Sequence, residues 1–152
     1  LNPKEYSTTG NREIDGVLNY MLQKANSTLN QVDVQINIPE DLYFNNFNIC
    51  VILGNLVDNA VREASKSEEK LLTIKMQIKQ EVLLIFIENS YSGKILEKKN
   101  GLQTTQTELA IHGIGLENVK KVVLANGGEI KTDYTSDRFC VQVLLYMSQI
   151  KN

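Results

Sequence analysis

The chain has 152 residues, with 16 Lys and Arg against 18 Asp and Glu and a formal net charge of −2 at pH 7. That length suits one domain with a substantial core. Near-balanced charge without a polybasic run argues against nucleic acid as the main partner. No apolar run reaches the roughly 20 residues of a membrane span, and no signal-peptide pattern opens the chain, so this segment is expected to make no direct membrane contact. A start at Leu1 rather than Met reads as a piece of a longer protein.

Leu1 to Thr9 carries little pattern and is expected to be a tail or linker ahead of a domain over 10–152. Ile14, Val17, Leu18, Met21, Leu22, Ala25 and Leu29 then mark one face of an amphipathic helix, with Thr9, Gly10 or Asn11 available to start it. From Gln31 to Ile38 the pattern switches to alternation, with Val32, Val34, Ile36 and Ile38 pointing one way; this is a strand that Pro39 ends. A second helix is expected over Phe44 to Ser65 and a polar connection to Lys70. Leu72, Ile74, Met76 and Ile78 alternate with polar residues, and a tight turn at Gln80-Glu81 leads into Val82 to Ile87. The latter strand is apolar on both faces and belongs in the middle of a sheet.

Ser90 to His112 is long and polar without periodicity, the kind of loop that is usually functional or disordered. His112-Gly113-Ile114-Gly115-Leu116 opens a third helix, whose buried side is Leu116, Val119, Val122 and Val123 and whose stop is Asn126-Gly127-Gly128. Two strands close the chain, Glu129 to Tyr134 and Arg138 to Met147, turned by Thr135-Ser136-Asp137. The expected fold class is α/β: a two-layer sandwich in which three helices cover a mixed sheet of about five strands. Cys50 and Cys140 suit neither a disulfide framework nor a metal cluster and read as buried free thiols in a reducing cytoplasm.

The second helix carries the chemistry. At about 100° per residue, Ile49, Leu53, Leu56, Val57, Ala60 and Ala64 fall on one side, and Asn55, Asp58, Asn59 and Arg62 on the other. Asn and Asp are poor helix formers, because their side chains compete for backbone groups. Asn55 and Asn59 are one turn apart and project the same way. A solvated face is one reading; the other is a face that offers oxygens to a hard cation such as Mg²⁺, with phosphates completing its shell.

Asn55-Leu56-Val57-Asp58-Asn59-Ala60 resembles the N box of the GHKL nucleotide-binding superfamily, which comprises histidine kinases, DNA gyrase, Hsp90-type chaperones and MutL proteins. The element order is similar to that family's Bergerat ATP-binding fold over nearly the whole chain. The resemblance implies ATP and Mg²⁺ as ligands, with Asn59 as the metal ligand. Asn55 stands where the ATP-hydrolysing members hold a glutamate that activates water; an amide is no general base near neutral pH, which favours a kinase. Arg62 matches a phosphate-contacting position, and Asn55 and Arg62 are the expected catalytic positions, with Glu63 beside them as a nucleotide contact. Asn89-Ser90-Tyr91-Ser92-Gly93 stands for the family's Asp-x-Gly-x-Gly. Asn89 replaces the Asp that accepts from the adenine amino group and Tyr91 replaces the first Gly, leaving Gly93. A similarly altered motif occurs in quorum-sensing receptor kinases of the accessory-gene-regulator type. The polar loop then reads as an ATP lid in which Lys98, Thr104 and Thr105 contact phosphate or ribose. Gly113, Gly115 and Leu116 form the phosphate-side motif at a helix start. His112 fits a phosphate-side contact or lid hinge better than a phosphoacceptor.

By resemblance this is the catalytic domain of a sensor histidine kinase, which transfers the ATP γ-phosphoryl to a histidine on a separate dimerisation domain and thence to a response regulator. The parent would be a membrane-anchored bacterial receptor with this domain in the cytoplasm. Two alternatives stay open: a protein serine kinase of the anti-sigma-factor type, and a degenerate GHKL domain that serves only as a partner surface.

Overall fold

The computed structural model describes residues 6–42, 45–92 and 116–146. In chain order these form α1 (Arg12–Thr28), β1 (Gln31–Asn37), α2 (Asn46–Lys66), β2 (Leu71–Lys79), β3 (Val82–Ser90), α3 (116–125), β4 (Glu129–Tyr134) and β5 (Arg138–Tyr146). The sheet order is β1-β2-β3-β5-β4; β1 runs parallel to β2 and every other pairing is antiparallel. The expected mixed sheet of five strands with three helices is what forms, and β3 is its central strand.

Both long helices start on an Asn. Asn11 caps α1 by accepting from the Ile14 N–H at 3.2 Å, and Asn45 caps α2 by accepting from Asn48. The Asn11 amide also donates to Asn46 Oδ1 at 3.1 Å, tying the two helix starts together. α1 buries Ile14, Leu18, Leu22 and Ala25, and α2 buries Ile49, Ile52, Leu53, Leu56, Val57, Ala60 and Ala64. These meet the inward rows of the sheet, among them Ile74 and Met76 of β2, Ile85 and Ile87 of β3 and Val141 and Val143 of β5. Each Val, Leu, Ile or Met side chain so removed from water contributes about 1.5–3 kcal/mol.

Residues 6–10, ahead of α1, are fastened to it. Asn19 Oδ1 accepts from the backbone N–H of Tyr6 and Ser7, and its amide donates to the Ser7 carbonyl. Asp15 accepts from the Ser7 and Thr9 hydroxyls at 2.6 and 2.8 Å and from the Thr9 and Gly10 N–H groups. The segment expected as tail or linker thus ends in a tight lashing against the first helix.

The β2–β3 turn places Gln80 and Glu81 at φ 53° and 62°, so both adopt the left-handed backbone that a two-residue hairpin needs. After α3, Gly127 sits at φ 71°; its N–H donates to Leu124 O and the Gly128 N–H to Val123 O, a Schellman stop. A Cβ on Gly128 would lie 2.5 Å from Leu144 O, so this crossing of β5 requires a glycine.

The other face of the sheet carries Gln35, Lys75 and Gln77, with Leu84 and Phe86 half-buried among them and Lys75 Nζ 5.7 Å from the Phe86 ring centre. Cys50 and Cys140 are free thiols but half-buried, a correction to their expected burial, because Cys140 lies on this helix-free face. Burial, then Glu88 and Asp133, push the Cys140 thiol up to about 11. Among the described residues no helix is long and apolar enough to cross a membrane.

Candidate functional site

Along α2, Asn55, Asn59 and Glu63 stand one turn apart on the flank between the core stripe and water. Asn59 and Glu63 are buried, Asn55 is half-buried, and Asp58 and Arg62 are exposed. The expectation that Asn59 shares a water-facing side with Asp58 and Arg62 is therefore corrected: successive steps of four residues drift only about 40° around the helix, which leaves this row against the core. The Asn55 amide donates to the Val51 carbonyl at 2.8 Å, which fixes the side chain along the helix and leaves its oxygen for another partner. Arg62 donates to Asn59 Oδ1 and lies 3.5 Å from Asp58 Oδ2. Glu63 has Lys66 Nζ at 3.5 Å.

Asn89 lies one residue before the end of β3, on the side of the sheet that the helices cover, and is 3% exposed. Its amide donates to the Ser90 carbonyl at 2.9 Å, which engages the nitrogen end of the side chain and leaves the oxygen as the acceptor end. The ends of α2 and β3 are joined directly here. The hydroxyls of Ser67, the α2 C-cap, and Ser90 lie 2.7 Å apart, and Ser90 also accepts from the Leu71 N–H at 2.8 Å. The helix that carries the asparagine row and the strand that carries Asn89 are therefore fastened to each other at this end.

Tyr91 is 4% exposed and acts as a fastening. Its N–H donates to Asp137 O at 3.2 Å, its hydroxyl donates to Thr135 O at 2.6 Å, and its ring meets Phe139 edge-on. Sequence reasoning placed it only as a replaced glycine; the ring in fact anchors the β4–β5 turn beside the end of β3. It also missed Arg138, whose two guanidinium nitrogens bond both Glu69 oxygens at 2.6 and 3.2 Å and hold that carboxyl below the usual range. No local pattern pairs residues so far apart in sequence. A serine after Asn89 and another after the second helix were the only cues to the Ser67–Ser90 clamp.

The Leu116 side chain is buried in the core at the start of α3, so what it can offer a ligand is its backbone. Gly93, Lys98, Thr104, Thr105, His112, Gly113 and Gly115 lie outside the described residues. Among the described residues no group of three or more His, Cys, Asp or Glu could hold a metal by itself. A cation at α2 would be held through amide oxygen and through oxygens of its own ligand, which is how Mg²⁺ is bound when phosphates supply most of its shell.

A family model described as the GHKL domain matches residues 44–146, from just ahead of α2 to the end of β5. The chain belongs to the GHKL domain family. Solved structures carry the same fold. The GHKL domain superposes on the Acinetobacter baumannii histidine kinase AdeS with a TM-score of 0.64 at 17% identity, over 90% of this chain and 64% of that one. The catalytic domain of histidine kinase ThkA gives 0.62 at 18%, over 93% and 96%. The mycobacterial sensor histidine kinase MprB gives 0.60 at 18%, over 89% and 92%. No curated protein sequence matches the chain. At these identities the likeness is one of fold, and the GHKL domain shares the architecture of histidine kinase catalytic domains.

Proposed function

We propose that this GHKL domain binds ATP with Mg²⁺ between α2 and the end of β3 and serves as the catalytic domain of a sensor histidine kinase. The observation that supports this reading is that the helix carrying Asn55 and Asn59 is fastened at its C-cap, Ser67, to the residue after a buried Asn89 whose oxygen is left for a donor. Asn59 would hold Mg²⁺ through its amide oxygen, and Asn89 would accept from the adenine amino group. Arg62 would reach phosphate, with Glu63 close by. The remaining phosphate-side contacts are assigned to Lys98, Thr104, Thr105, His112, Gly113 and Gly115, together with Gly93 and the Leu116 backbone. The metal, when bound, neutralises phosphate charge, the main requirement of phosphoryl transfer.

Asn55 supports kinase over hydrolase chemistry. It is a carboxamide with its N–H committed to Val51, and it cannot take a proton from water at neutral pH. The γ-phosphoryl would pass to a histidine on a dimerisation domain of the same parent, and then to a response regulator. Peptide quorum sensing by a membrane-anchored receptor is the finer setting that the altered adenine motif suggests. Tyr91 favours a second reading, a GHKL domain that has given up nucleotide for a structural or partner role, because its ring is built into the core where the motif asks for glycine.

Thermal unfolding with ADP or ATP, with and without Mg²⁺, separates the two readings, since a ligand of the native state raises apparent stability. The kinase-domain reading expects a rise that Asn59→Ala removes only for the metal-dependent part, and that Asn89→Leu removes with and without metal. No rise in wild type at millimolar nucleotide would favour the structural reading.

A further inference from the structure

The Asn59 oxygen already has a cation on it. Arg62, three residues further along α2, donates to Asn59 Oδ1, while Asp58, one turn before Arg62, draws the same guanidinium to 3.5 Å. The Arg62 side chain is half exposed, whereas Asn59 is 4% exposed, so the arginine reaches back from the surface over the carboxamide. A guanidinium and a divalent metal on one amide oxygen compete, because like charges held a few ångströms apart repel.

We propose that Arg62 is a resident counter-cation on the Asn59 oxygen that the metal of the nucleotide complex must displace, with Asp58 as its tether. This rests on Asn59 being the metal ligand. In the nucleotide-free domain the buried carboxamide is held in a fixed rotamer by Arg62. On metal entry the guanidinium leaves that oxygen but stays within reach of the site, because Asp58 keeps it on the same turn. Arg62 therefore sets the metal concentration at which the site engages, in addition to any contact with phosphate. It is a specificity-determining residue for occupancy of the Asn59 oxygen.

ADP affinity measured by calorimetry across a Mg²⁺ series gives the half-saturating Mg²⁺ for each variant. Arg62→Ala is expected to lower it by at least about fivefold, the low end of typical coupling between two ligands. The metal-free ADP affinity should not rise. The shift must vanish when Arg62→Ala is made in an Asn59→Ala background; a shift that persists there is a general charge effect and overturns the proposal, as does an unchanged or higher half-saturation. An Asn59→Ala variant with wild-type Mg²⁺ dependence would instead remove the metal-ligand reading itself. A second readout needs no nucleotide: the Asn59 side-chain amide resonances of the free domain should move on Arg62→Ala, and unmoved resonances would show that Arg62 does not hold this group in solution.

Discussion

Ser90, the last residue of β3, shares a 2.7 Å hydroxyl contact with Ser67, the C-cap of α2, and the same oxygen takes the Leu71 N–H that opens β2. One buried hydroxyl thus joins three elements at the end of the sheet where Asn89 lies. Ser90→Ala removes both contacts without adding bulk. It is expected to destabilise the domain by about 1–3 kcal/mol, the range for leaving buried partners unmet. Urea unfolding measures it; a midpoint equal to wild type would show that the clamp contributes nothing.

Asp15 predicts a pH dependence. Burial pushes its carboxyl upward, but the hydrogen bonds from Ser7, Thr9 and Gly10 outweigh that and hold it below the ordinary value. A lowered native value means that the native state gives up its proton more readily than the unfolded chain. The stabilisation is therefore complete above the unfolded value of about 4 and is lost as pH falls through the native one. Asp15→Asn should cost about 1–3 kcal/mol near neutral pH. Its deficit against wild type should shrink on going from about pH 7 to about pH 3. Denaturant titrations at both values decide it, and a deficit that stays constant would assign the loss to shape instead of charge.

Much of this architecture was legible because the patterns were strong. The period of 3.6 in α1 and α2 and the alternation in β2 each had a single apolar side, which fixes the face that must turn inward. β3 was placed centrally from its two apolar faces, and Leu84 and Phe86 show why: neighbouring strands and the Lys75 stem shelter them without a second helical layer. The hairpin turn was located but not its chemistry, since Gln80 and Glu81 take a left-handed backbone usually given to Asn or Gly. The burial of Asn59 was missed because a polar residue at the margin of an apolar stripe reads as exposed. The lashing of residues 6–10 escaped for another reason: it is made by side chains that accept backbone N–H groups, which leaves no periodicity.

Tyr91 gives a prediction that separates fold from motif. Tyr91→Gly moves the sequence towards the family pattern but removes a ring packed on Phe139 and a hydroxyl bonded to Thr135. The expected result is a loss of about 3–5 kcal/mol, as for a large aromatic deleted from a core, and no gain in ADP affinity. Tyr91→Phe, which keeps the ring, should lose only about 1 kcal/mol. Tighter ADP binding by the glycine variant at intact stability would show instead that the ring obstructs the site.

The parallel pairing of β1 with β2 joins residues forty apart in the chain at every rung, Gln31 with Leu71 being the first, whereas Lys79 meets Val82 across the hairpin. The stretch between those rungs is largely α2. The helix that bears Asn55 and Asn59 is thus the crossover that delivers the chain from the sheet edge to its second strand. Local hairpin closure is fast, while a long loop must be closed before β1 gains a partner, so the edge strand joins the sheet after the β2–β3 hairpin. In the native state β1 is an edge strand paired on one side only, while α2 stays fastened to β3 through Ser67 and Ser90, so β1 is the element expected to open first. Amide exchange should find β1 released before α2 and the β2–β3 ladder, and a common step for β1 and α2 would show instead that the crossover opens as one piece.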